Sequence, residues 1–182
     1  MITATPRPAP PVPAPSAPCA PPAPSAPTRS VRPARHQDAA ELAELSRPFV
    51  RSGALRERPA ALYAAHAADF LVAQAPGSPL EGCVGLRVYP ADPGEDRGAV
   101  GVVYNFCVAG HRQGRGVGAG LLRALLATAR ARSLDALFTA TTGGGGLFLR
   151  YGFAPTTTRP APASWAAALD PRRDARILVK TL

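Results

Sequence analysis

The sequence predicts an α+β domain behind a disordered, proline-rich tail, and three observations point there. Three runs enriched in β-branched and aromatic residues follow one another, FLVAQ, GCVGLRVY and VGVVYNFCV, separated by the turn-forming segments APGSPLE and PADPGEDRG. The stretch HRQGRGVGAGLLRALL, His111 to Leu126, then changes from basic and glycine residues to an apolar helical pattern, giving one strand-helix-strand unit and not a long βα alternation. Residues 1–28 alternate Pro with Ala, Ser and Thr, a composition that buries too little apolar surface to offset the entropy of ordering.

In chain order, the tail of 1–28 is expected to be disordered and locally polyproline II, and 29–182 to form one domain with a single core. VRPAR reads as a short strand. Asp38 with Glu41 predicts a capping box for a helix carrying Leu42, Leu45 and Phe49, weakened at its end by Pro48. Pro59 suits the first turn of a second helix through Leu62, Tyr63 and His66, where His66 reads as a surface or half-buried residue. The three strand runs follow as antiparallel neighbours. A helix is expected over 116–132, with Leu121, Leu122, Leu125 and Leu126 as its buried stripe. DALFTAT reads as a strand, GGGGLFLRYGF as a short helix with a flexible start, and RILVKTL as the last strand.

Composition excludes several classes. The net charge of +9 comes almost wholly from dispersed arginines without a block of five or six, which reads as compositional and not as a nucleic-acid surface; Arg112 and Arg115, flanking the glycines, are the exception. Three cysteines, Cys19, Cys83 and Cys107, lack C-x-x-C spacing, and His36, His66 and His111 lie far apart, so neither a disulfide framework nor a metal site is expected. No run approaches the roughly 18 apolar residues of a membrane span. Prolines interrupt any signal-peptide core, so a reducing cytoplasm is the expected location.

Glycine early in a helix costs roughly 1 kcal/mol against alanine, so Gly114, Gly116, Gly118 and Gly120 imply that something approaches the backbone. A strand feeding such a turn presents unpaired N–H groups and a positive dipole end, a natural phosphate seat. A Walker A loop is excluded, because no Gly-Lys-Ser/Thr follows. A dinucleotide fingerprint is formally satisfied by Gly114, Gly116 and Ala119, but the acid expected after the next strand is missing. A tight turn with no ligand is the plain alternative.

QGRGVG, Gln113 to Gly118, resembles the Q/R-x-x-G-x-G/A signature of GCN5-related N-acetyltransferases (GNATs), and Tyr151-Gly152-Phe153 resembles that family's second motif. The resemblance implies the GNAT fold, a central mixed, mostly antiparallel sheet flanked by helices, and acetyl-CoA as co-substrate without a metal. It implies that Phe106, Val108, Gln113, Gly114, Arg115, Gly116, Val117, Gly118 and Phe148 hold that co-substrate, with main-chain nitrogens from Gln113 to Ala119 bare and aimed at its pyrophosphate.

Within the family, LSRPFVRSGALRERPAALYAAHAADFLVA, Thr141-Thr142 and RILVKTL are most similar to the acetyltransferase domain of N-acetylglutamate synthases. That implies a small amino-acid-like acceptor, glutamate first, with arginine biosynthesis as the pathway and Arg58 and Arg173 on its carboxylates. The departures are Val102 for the family's Glu, Asn105 for a frequent Cys, Gly143 for an Arg and Phe148 for the usual Tyr acid. With no carboxylate on the strand, a water held by Asn105 or Tyr104 is the expected base, the Val108 N–H the oxyanion donor, and Thr141 a source of a hydroxyl. Cys107 reads as a small apolar strand residue. Acetylation of another amine or a protein amino group, or CoA sensing without catalysis, are the alternatives, and a homo-oligomer is left open.

Overall fold

The β-branched runs become strands and the leucine-striped segment a helix because each has one face to bury. The structure, a computed structural model, describes residues 29–95, 97–156 and 161–182; the tail of 1–28 lies outside the described residues. The strands are β1 (Ser30–Pro33), β2 (Phe70–Gln74), β3 (Leu80–Tyr89), β4 (Val100–Val108), β5 (Ala136–Thr141), β6 (Ala154–Pro155) and β7 (Arg176–Thr181). The helices are α1 (Ala39–Arg51), α2 (Ala60–Ala65), α3 (Val117–Ala131), α4 (Gly146–Arg150) and α5 (Ala163–Ala167).

One seven-stranded sheet runs β1-β2-β3-β4-β5-β7-β6, and only the β4–β5 pair is parallel. This is the mixed, mostly antiparallel α+β sheet expected from the strand runs and the single crossover through α3. On one face the stripe Leu121, Leu122, Leu125 and Leu126 of α3 packs with Val84, Leu86, Val103 and Leu137. On the other, Leu42 of α1 and Tyr63 of α2 pack with Phe70, Val72, Cys83 and Cys107. Farther along that sheet, Trp165 of α5 packs against Val100, Val102 and Phe138.

One local expectation needs correction, and two short elements lie outside the expected set. Asp38 does not cap α1 through a box with Glu41. Its carboxylate turns back to the Arg35 N–H at 2.7 Å and to Arg32 at 2.7 and 3.0 Å, while Glu41 accepts the Leu80 N–H at 3.2 Å. Arginine on the adjacent strand outcompetes a helix-end amide for a buried carboxylate. Pro48 lies in the last turn of α1, which ends at Arg51 and closes through the Ser52 N–H on Pro48 O at 3.1 Å. Finally, β6 and α5 went unpredicted, because Pro155 and Pro162 beside ASWAA give it the look of a loop.

Candidate active site

The site begins with one extra residue in β4. Gly85 pairs with Tyr104 and Cys83 with Cys107, so a single β3 residue faces both Asn105 and Phe106. Asn105 absorbs this bulge at φ 50°, a left-handed conformation that Asn tolerates better than most residues. The bulge reverses the alternation of side chains. Before it, Val102 packs towards α5 and Val103 towards α3; after it, Phe106 and Val108 lie on the α3 side and Cys107 on the α1 side.

The bulge also coincides with a parting of strands. The β4–β5 register ends at Val103↔Thr139, so the second half of β4 has no β5 neighbour. The Ala109 N–H donates to Glu81 O at 2.9 Å. Ladder alternation from there turns the Val108 N–H away from β3, into the opening where β5 has ended. Two cavities are lined by consecutive stretches of this strand.

The second half of β4 and the glycine loop line a cavity of about 470 Å³ that includes Phe106, Val108, Gln113, Gly114, Gly116 and Gly118. Gly114 and Gly116 stand at φ 71° and 80°, a region costly for any residue with a Cβ. The first α3 bond runs from the Gly120 N–H to Gly116 O, so the N–H groups of Val117, Gly118 and Ala119 precede the helix ladder. The expectation of bare amides from Gln113 onward is too broad. The Gln113 N–H bonds Gly110 O at 3.2 Å and the Arg115 N–H bonds Arg112 O at 3.4 Å, because the loop opens with a 3₁₀ turn. The Gln113 side chain donates to Val108 O at 3.1 Å and ties the loop to β4.

A second cavity of about 570 Å³ is lined by residues of the first half of β4, Val102 to Asn105, and by Arg56, Arg58, Arg87 and Arg173, with Asp170 as its carboxylate and His66 as its imidazole. The Arg58 and Arg87 guanidinium carbons lie 5.3 and 5.5 Å from the centre of the Tyr104 ring. Gly85 makes room for that ring, since a Cβ there would meet it at 2.6 Å. The Tyr104 hydroxyl donates to Asp69 at 3.1 Å, and burial, with the Asp69 charge, pushes the phenol well up.

The structure spreads the expected site residues unevenly. Arg115 is exposed, Val117 and Phe148 are buried, and none of the three lines the glycine-loop cavity. Phe148 packs between Phe106 and Phe153, at 5.5 and 5.3 Å. Asn105 is 4 % exposed and its carboxamide is committed to protein partners: Arg58 and Tyr63 donate to it at 3.2 Å, and it donates to Ser46 at 3.0 Å. Its carboxamide thereby holds Arg58, Tyr63 and Ser46 in place. Thr141 bonds its hydroxyl to the Gly143 N–H at 3.3 Å, and its neighbour Thr142 lines the arginine cavity instead. Arg173 lines that cavity, but its Nη2 donates to Gly53 O at 2.6 Å and Ala54 O at 2.7 Å. Nothing local in sequence marks Arg87, which the pairing of β3 with β4 brings to this cavity; His66, read from sequence as a surface or half-buried residue, is half-buried on the cavity wall.

The bulged strand, glycine loop and paired cavities agree with the sequence matches. The profile of the Acetyltransferase (GNAT) family covers residues 39–153, more than half of the chain, and the chain belongs to that family. Its fold is therefore that of the GNAT class of CoA-dependent acetyltransferases. Among solved structures, N-acetylglutamate synthase from Neisseria gonorrhoeae, complexed with coenzyme A and N-acetyl-glutamate, is similar at 27% identity and TM-score 0.73, over 85% of this chain. This chain spans only 35% of that one. A Mycobacterium tuberculosis protein in complex with CoA matches at 21% identity and TM-score 0.67 over 84% of this chain and 99% of its own. A GNAT-family acetyltransferase from Staphylococcus aureus Mu50 matches at 15% and 0.66, over 85% and 99%. Several such relatives score alike, so the likeness to N-acetylglutamate synthase does not stand apart. No curated protein matches the sequence. Among the described residues, no group of His, Cys, Asp or Glu could hold a metal ion, and no helix is long and apolar enough to cross a membrane.

Proposed function

We propose that the protein transfers the acetyl group of acetyl-CoA to the α-amino group of an acidic amino acid, with glutamate the leading acceptor. The observation that carries this reading is the junction at the β4 bulge: a glycine-loop cavity on one side and a cavity with four arginines on the other. The similarity to the gonococcal synthase supports the same acceptor class.

The donor brings an activated thioester. The amides of Val117, Gly118 and Ala119, with the positive end of α3, suit its pyrophosphate. The Val108 N–H, turned into the opening, would stabilise the oxyanion that forms when the amine attacks the thioester carbonyl, before the C–S bond breaks and CoA leaves as the thiol with the proton the amine gives up. Arg87, and Arg58 through the nitrogens other than the Nη1 that holds Asn105 and Arg56 O, suit the acceptor carboxylates as planar, charged donors, whereas Arg173 and Arg56 bond main-chain carbonyls across the chain. With the Asn105 carboxamide engaged and the Tyr104 O–H donated to Asp69, we assign removal of the ammonium proton to the His66 imidazole on the cavity wall.

A screen of amino acids and amines with acetyl-CoA, read by CoA thiol release, tests the reading. Glutamate is expected to turn over, and Arg58→Ala to raise its KM by about tenfold while sparing the KM for acetyl-CoA. Turnover confined to a cationic amine or a protein amino group would overturn the acceptor. CoA binding without turnover on any acceptor would overturn the enzyme.

A further inference from the structure

Glu81 is a carboxylate in an apolar place. It sits between Leu80 and Gly82 on β3 with its side chain 3 % exposed, and burial of a lone charge costs several kcal/mol unless it is paired. Two arginines from distant segments meet it. Arg29, just before β1, bonds Oε2, and Arg112, in the turn between β4 and α3, lies 2.9 Å from Oε1. The Arg112 contact is one of charge more than alignment, since Glu81 Oε1 and Arg112 Nε have no hydrogen-bond partner among the described residues.

The same residue holds the loop by its backbone. Glu81 O accepts the Ala109 N–H at 2.9 Å, and the loop's next tether is Gln113 on Val108 O at 3.1 Å. The 109–113 turn is thus fastened at its start, its middle and its end, immediately before Gly114 and Gly116 aim the α3 amides. Arg112 lines the glycine-loop cavity while it holds Glu81, and because Arg29 shares that carboxylate the three side chains together stay net positive.

We propose that Glu81 is a positioning residue of the donor site, fixing the glycine loop through Arg112 so that the α3 amides are pre-aimed. The proposal rests on the acetyl-CoA reading above. It concerns donor binding alone, because Glu81 lines neither cavity.

Calorimetric titration of CoA into the full chain, with steady-state kinetics, provides the test. Glu81→Gln keeps shape and removes charge; it is expected to weaken CoA binding and raise the acetyl-CoA KM by about tenfold, with kcat and acceptor KM unchanged. Arg112→Gln is expected to act alike, and the double variant to lose no more than either single one, as groups acting through one contact do. Should Glu81→Gln fail to fold, Arg112→Gln carries the test, since Arg29 still pairs the carboxylate. CoA binding at wild-type strength in these variants overturns the assignment, as does a loss spread equally over donor, acceptor and kcat. Failure of the unaltered protein to bind CoA would instead sink the acetyltransferase reading itself.

Discussion

Gly116 stands at φ 80° with open space around the position a Cβ would take. Its requirement is therefore conformational and not steric. A side chain there would cost about 1–2 kcal/mol in the left-handed region, more if β-branched, and the loop would relieve it by re-aiming the α3 amides. Gly116→Val is expected to abolish measurable CoA binding in titration while the far-ultraviolet circular dichroism stays native. A second residue-level expectation concerns His66: His66→Gln should lower kcat by about 10²-fold with both KM values kept, as measured by thiol release, because a general base contributes on that order. The glycines were readable from sequence, since few other residues suit such φ values. His66 was not, since only the cavity around it distinguishes it from a solvated helix-end histidine.

At the scale of elements, the register of β3 on β4 and the junction of β1 with α1 show two kinds of control. The strand runs foretold β2, β3 and β4, and their apolar content foretold burial. The reversal of facing at Asn105 was not foretold, because alternation read along one strand cannot show where its partner lacks a residue. At the other junction, the hydrogen bonds from Arg32 hold the Asp38 carboxyl below its ordinary range, helped by the Arg35 N–H and opposed by burial. A lowered folded-state value means that this stabilisation is full above the ordinary carboxylate range and is lost as pH falls through the depressed value. Asp38→Asn should cost about 2 kcal/mol at neutral pH and flatten the acid side of the stability curve, as thermal melts across pH would show. The capping box was misread there for a simple reason: sequence spacing names a partner three residues on, and the stronger partner was on a strand.

For the whole molecule, segments far apart in sequence are clasped beside the arginine-lined cavity. Arg56 Nη2 donates to Ala168 O at 2.8 Å, and Arg173 Nη2 reaches back to Gly53 O and Ala54 O at 2.6 and 2.7 Å. The clasp joins the loop between α1 and α2 to the segment carrying α5, and Trp165 anchors the latter on Phe138 at 6.4 Å between ring centres. Arg173→Ala is expected to speed proteolytic cleavage near the α5 segment and raise the acceptor KM by roughly tenfold, leaving acetyl-CoA KM unchanged. Sequence by itself determined the α+β class, the strand runs, the α3 stripe and the glycine loop, because each depends on local periodicity or on a φ that few residues accept. The tertiary structure alone decided which arginines line the cavity beside β4 and which of them bond main-chain carbonyls across the chain, where β4 changes face, and what pairs with Glu81. Those outcomes depend on strand register and on competition for charge between residues tens of positions apart, and neither leaves a mark on neighbouring residues.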